Sequence, residues 1–127
     1  MVAQTRVAWR KEVMMMNEQR LLELGLIKEE RGDYQAAERF YRTAWFLAES
    51  KFGEDGRALA PYLYNLAFVL WAVENYHEAR AYFRRLHRIL IREFGSDHKD
   101  ALEIRDLLAE LDDELAALPV NLTAYAS

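Results

Sequence analysis

The residues able to do chemistry are few and far apart in this sequence. Adjacent acids such as Glu29-Glu30 point about 100° apart on a helix, so they cannot act as a catalytic pair. His77-Glu78 begins like a zinc-binding helix motif, but no second histidine follows four residues later. Cysteine is absent, and the three histidines are His77, His87 and His98. The sequence therefore predicts a protein that is not an enzyme and that holds no metal or other cofactor.

Aromatic side chains at helical spacing are the stronger signal. Tyr64, Phe68 and Trp71 follow the pattern i, i+4, i+7, which places them on one face of a helix. We call these three residues the aromatic stripe. Left open, it would expose on the order of a few hundred Å², near the largest apolar patch of a monomer. We therefore expect it to be core, or to be covered by the N-terminal segment, a second copy of the chain, or a partner helix or peptide.

A repeat supplies the helices that carry this stripe. Tyr34 and Tyr76 lie 42 positions apart, as do Ala37 and Ala79. The same step superimposes Phe52-Gly53 on Phe94-Gly95. A fixed period of roughly 20–50 residues indicates a solenoid of stacked units, because a single helix pair cannot bury its apolar face alone.

The residues that recur at this spacing form recognisable motifs. In the second copy they are Leu63-x-Asn65-Leu66-Ala67, Tyr76-x-Glu78-Ala79 and Phe94-Gly95-x-Asp97-His98. In the first they are Gly32-Asp33-Tyr34, Ala36-Ala37-Glu38, Ala44 and Phe52-Gly53-x-Asp55. Over about residues 17–118 the chain resembles the tetratricopeptide repeat family, in its longer kinesin-light-chain-like form. The resemblance implies an all-α, antiparallel helix-pair solenoid that binds proteins, with the first helix of each unit lining a concave side.

Three regions are expected. Residues 1–16 form an N-terminal helical segment, and 119–127 form a disordered tail. Residues 17–118 form the repeat domain, with repeats at about 17–58 and 59–100 and a C-terminal capping helix at 98–117. The helices are expected at 17–31, 34–52, 57–74, 77–94 and 98–117.

Turn chemistry supports these helix limits. Gly32 can take the left-handed conformation that ends the first helix. Pro61 is tolerated only in the first turn of the third helix, where a missing N–H has no helical partner. Asp55 and Asp97 are each expected to cap the helix that follows.

The resemblance assigns eight residues to the concave side. Asn65 matches the family's groove asparagine, which contacts either a ligand backbone or neighbouring helices. Glu103 and Glu110 add acidity at the far end, so a ligand with aromatic or aliphatic anchors and some basic residues is expected. The eight candidate binding residues are Leu22, Leu26, Glu29, Tyr64, Asn65, Phe68, Trp71 and Asp106.

Composition limits the kinds of partner. Net charge is −4 and the pI is about 5.4, so no basic field favours nucleic acid or an acidic membrane. No apolar run reaches the roughly 18–20 residues of a membrane span. Charged residues interrupt the N-terminal stretch, so we recognise no signal peptide there. A cytoplasmic location is therefore the default expectation.

Two functions follow from these observations. The first is a protein–protein interaction module, or adaptor, that binds a peptide or helix of an unidentified partner protein in its concave groove. The alternative is a self-associating structural protein whose aromatic stripe forms a homodimer interface, since two repeats are fewer than an array usually needs.

Overall fold

The structure, a computed structural model, describes residues 16–54 and 56–119. Helices with extensive mutual contacts are consecutive along the chain, and no strand lies within these ranges. The predicted all-α, antiparallel helix-pair solenoid is confirmed. Its helices are α1 (Glu18–Glu30), α2 (Tyr34–Phe52), α3 (Ala60–Ala72), α4 (Tyr76–Phe94) and α5 (Lys99–Ala117), with a 3₁₀ turn at Arg57–Leu59.

Some predictions fall outside these residues. The N-terminal helical segment, apart from Met16, lies outside the described ranges, as does the tail beyond Pro119. Asp55, expected to cap α3, lies outside them too. These expectations stay predictions.

Backbone hydrogen bonds repeat with the 42-residue period. The Asp33 N–H donates to the Lys28 carbonyl at 2.9 Å, and the Asn75 N–H donates to the Leu70 carbonyl at 2.8 Å. Gly32, with φ 78°, ends α1 in the left-handed region as predicted, and Glu74 ends α3 at φ 65°. The two helix pairs therefore close with the same turn, even though only the first has the glycine that favours it.

The range of the third helix and the cap of α5 differ from the prediction. The third helix does not run over 57–74, because its first residues form the 3₁₀ turn and the left-handed Glu74 follows its C-terminal cap Val73. Pro61 does lie in its first turn. Asp97 does not cap α5, which begins two residues later. His98 is the cap, and its Nδ1 accepts a hydrogen bond from the Asp100 N–H at 3.2 Å.

Side-chain pairs also connect the second helices of the two repeats. Arg42 of α2 donates two hydrogen bonds to the Glu78 carboxylate of α4, at 2.6 and 2.8 Å. Asn75 donates a third at 2.8 Å. A second bridge comes from Arg85, which stacks 4.6 Å from the centre of the Trp45 ring and pairs with Glu49 at 3.2 Å.

The Arg42–Glu78 pair leads to a pH-dependent prediction. Hydrogen bonds from Arg42 hold the pKa of Glu78 below its usual range. Because the folded pKa is below the unfolded one, the pair's stabilisation is complete above the unfolded pKa and is lost as pH falls through the folded pKa. Both side chains are about a third exposed, so we expect Glu78→Gln to cost only about 1 kcal/mol at pH 7.

Urea unfolding between pH 7 and 3 measures this effect. The stability difference between wild type and Glu78→Gln should shrink toward the acid end. Glu23→Gln is the matched control, because Glu23 pairs with Arg20 on an open surface where both side chains are more than half exposed. Equal losses in the two variants would contradict a structural role for the bridge between repeats.

Candidate functional site

The aromatic stripe forms a continuous row along α3. The ring centres of Tyr64 and Phe68 are 4.7 Å apart, and those of Phe68 and Trp71 are 6.2 Å apart. All three side chains are half-buried. The structure therefore brings these three predicted residues together and leaves part of each ring exposed.

Neighbouring helices cover the other part of the row. Phe83 of α4 meets Phe68 edge-on at 5.2 Å and Trp71 at 6.0 Å. The Trp71 Nε1–H donates to the Glu114 carboxylate of α5 at 2.9 Å. The pKa of Tyr64 is raised by burial and also by the Glu103 carboxylate, which disfavours a phenolate beside it. The aromatic stripe is therefore packed partly against the core and exposed partly at the surface.

The three candidates on α1 have different environments. Leu22 is half-buried against the core, and Leu26 is 37% exposed. Glu29 is held inside the first repeat, because its carboxylate accepts a hydrogen bond from the Tyr41 hydroxyl at 3.0 Å. Burial, and then this hydrogen bond, raise the pKa of Tyr41. Leu26 therefore offers apolar surface, while Glu29 is engaged in joining α1 to α2.

The two remaining candidates are polar. The Asn65 side-chain amide donates to the Pro61 carbonyl at 2.8 Å, within the same helix. Asp106 lies on α5 and pairs with Arg105 at 3.0 Å, both side chains being mostly exposed. The Asn65 side chain is therefore hydrogen-bonded within its own helix, and the Asp106 side chain is exposed to solvent.

A cavity of about 380 Å³ opens where the start of α3, the end of α4 and the start of α5 meet. Two of the predicted residues, Tyr64 and Asn65, line it together with the carboxyl-bearing Asp100 and Glu103. Its remaining described lining is apolar: Ala60, Pro61, Leu86, Leu90 and Ile104. Among the predicted site residues, Phe68, Trp71, Asp106 and those on α1 lie outside it.

Asp100 is the charged residue of this cavity that the sequence analysis did not single out. Asp100, Glu103 and Ile104 are spaced so that they share a face of α5. That spacing was the available signal. It does not reveal the cavity, because the other lining residues come from α3 and α4.

No group of three or more histidine or acidic side chains in residues 16–54 and 56–119 is arranged to hold a metal ion. Over the same part of the chain, no helix is long and apolar enough to cross a membrane. The aromatic stripe and the cavity together offer aromatic and aliphatic contact, one amide and several carboxylates.

Comparisons with known proteins are consistent with the repeat. A family model described as tetratricopeptide repeat matches residues 58–118, which include α3, α4 and α5. No curated protein matches the chain in sequence. The resemblance to the kinesin-light-chain-like form stays a prediction.

Proposed function

We propose that this chain is an adaptor that binds a peptide or helix of a partner protein, because residues 58–118 match a tetratricopeptide repeat model and such repeats are generally protein–protein interaction modules. The binding surface is the concave face formed by α1, α3 and α5. One observation carries the proposal: the aromatic row of α3 is packed on one side by Phe83 and remains partly open on the other.

Charge and fold both favour a protein partner. The family is a non-catalytic repeat scaffold, and we assign this chain no reaction. The net charge of −4 disfavours nucleic acid and anionic membranes as partners. A cytoplasmic location and the adaptor role are parts of this proposal.

Peptide selection tests the groove. The full chain is immobilised and a displayed library of random peptides is selected on it. Affinities of selected peptides are then measured for wild type, Leu26→Ser and Phe46→Ser. Leu26 lies on the proposed face and is 37% exposed, whereas Phe46 lies on α2 and is 68% exposed. Each variant removes one exposed apolar side chain, so the two differ in location.

We expect Leu26→Ser to weaken binding about 10-fold, equivalent to about 1.4 kcal/mol, from lost apolar burial. Phe46→Ser should stay within about 2-fold of wild type, because α2 is not part of the proposed face. Thermal melts of both variants show that each remains folded. Equal weakening, or an effect of Phe46→Ser alone, would place binding elsewhere.

Self-association through the aromatic stripe is the alternative. Within one chain, Phe83 and Glu114 already occupy part of that stripe, which reduces the area left for a second copy. Leu26 and Ile27, each more than a third exposed, could extend such an interface. Light scattering over a range of concentrations distinguishes the two: the adaptor proposal expects a monomer, and a tight dimer would favour the alternative.

A further inference from the structure

The cavity between α3, α4 and α5 has an apolar floor and an acidic rim. Leu86, Leu90 and Ile104 are almost fully buried and form the floor. Asp100 is half-buried and Glu103 is exposed, and both of these carboxyl-bearing residues are among those that line the cavity. None of its described lining residues is basic; beside the lining, His98 Nδ1 lies 3.8 Å from the Asp100 carboxylate. The site therefore combines a surface for hydrocarbon with two negative charges.

This combination selects among ligand chemistries. An anion would be repelled by both carboxylates. A purely apolar group would cover the carboxylates without pairing them, which costs free energy. A long basic side chain satisfies both features, because its hydrocarbon stem packs on apolar surface while its charged end reaches polar groups.

Tyr64 distinguishes between the two basic side chains. This residue lines the cavity, and its hydroxyl lies near the Glu103 carboxylate, which contributes to the raised pKa of this tyrosine. A guanidinium can stack on an aromatic face and also donate paired hydrogen bonds to a carboxylate, whereas an ammonium is a compact point charge. The wall and rim together therefore suit arginine better than lysine.

We propose that this cavity is the specificity pocket of the groove and receives an arginine side chain of the bound partner segment. The stem lies on Leu86, Leu90 and Ile104, and the guanidinium lies between the Tyr64 ring and the carboxylates of Asp100 and Glu103. This inference rests on the proposed function, since it names what the partner presents at one end of the face. The volume of about 380 Å³ falls within the range of small-ligand pockets, roughly 300–1,000 Å³.

A titration with small probes tests the pocket directly. The ¹⁵N-labelled full chain is titrated with N-acetyl-arginine methylamide, with its citrulline analogue and with its lysine analogue. Citrulline has nearly the same shape as arginine but carries no charge. The amide signals of Asn65, Glu103 and Ile104 report on the cavity. The variants are Glu103→Gln and Glu110→Gln, two charge removals on the same helix, with Glu110 outside the described lining.

We expect saturable shifts at these amides with arginine, at a Kd in the millimolar range that suits one side chain. The wild-type chain should bind the citrulline and lysine analogues at least about 3-fold more weakly than the arginine compound. The Glu103→Gln variant should bind the arginine compound at least about 3-fold more weakly than wild type does, whereas Glu110→Gln should stay within about 2-fold of wild type. Equal binding of citrulline, no saturable shift, or shifts away from the cavity would overturn the proposal. Equal binding of lysine would overturn the assignment to a guanidinium.

Failure of this inference is distinguishable from failure of the proposed function. Leu26 lies on α1, outside the cavity lining. If selected peptides depend on Leu26 but arginine does not bind, only the pocket assignment fails. If arginine binds but no peptide depends on Leu26, the pocket stands and the extended groove fails.

Discussion

Replacing Phe83 with alanine is expected to lower the free energy of unfolding by about 3–5 kcal/mol, the usual range for truncating a buried aromatic side chain. Phe83 is fully buried in α4. Both Phe68 and Trp71 pack edge-on against its ring. Its loss therefore removes the support beneath the aromatic row as well as its own buried area. Urea unfolding of the full chain measures the change.

Phe46→Ala is the matched control for this variant. It makes the same chemical change in the second helix of the other repeat, but Phe46 is 68% exposed. We expect its effect to stay within about 0.5 kcal/mol, as for most surface substitutions. If Phe83→Ala cost less than about 1 kcal/mol, the packing between α3 and α4 described above would be wrong.

Gly25→Ala is expected to cost about 1–3 kcal/mol, because it overpacks the crossing of α1 and α2. An added Cβ would lie 2.5 Å from Tyr41 Cδ1. The ring is buried, and its hydroxyl is bound to Glu29, so it cannot move aside freely. The usual helix-favouring effect of glycine-to-alanine substitution, about 0.5–1 kcal/mol, is smaller than this clash.

The second repeat suggests a double variant that tests this explanation. Ala67 and Phe83 occupy the positions that correspond to Gly25 and Tyr41. In the double variant Gly25→Ala, Tyr41→Phe, the ring is no longer tied to Glu29. We expect it to recover part of the stability lost by Gly25→Ala, beyond the effect of Tyr41→Phe alone. Simple addition of the two single effects, measured by urea unfolding, would contradict a clash held in place by that hydrogen bond.

Much of the fold was predictable from the sequence because the relevant signals are local. Helical periodicity, the Gly32 turn and the early Pro61 each depend on a few adjacent residues. The cap of α5 was mispredicted because Asp97 is a common capping residue, whereas His98 accepts the hydrogen bond only in the geometry adopted here. The left-handed Glu74 could be anticipated only by alignment with Gly32.

The candidate site was less predictable because its properties depend on distant contacts. Spacing correctly placed Tyr64, Phe68 and Trp71 in one row, but their half-burial depends on Phe83 and Glu114 from other helices. Glu29 is engaged by Tyr41, a residue on the next helix. The cavity is formed by three helix ends, so no single stretch of sequence contains it.

The central claim is that binding occurs on the face formed by α1, α3 and α5. The most direct measurement is an amide chemical-shift map of the ¹⁵N-labelled full chain with a peptide obtained by selection. We expect the largest shifts around Leu26 on α1, along Tyr64–Trp71 on α3 and at the start of α5. Shifts confined to the outer surfaces of α2 and α4, around Phe46 for example, would contradict the claim.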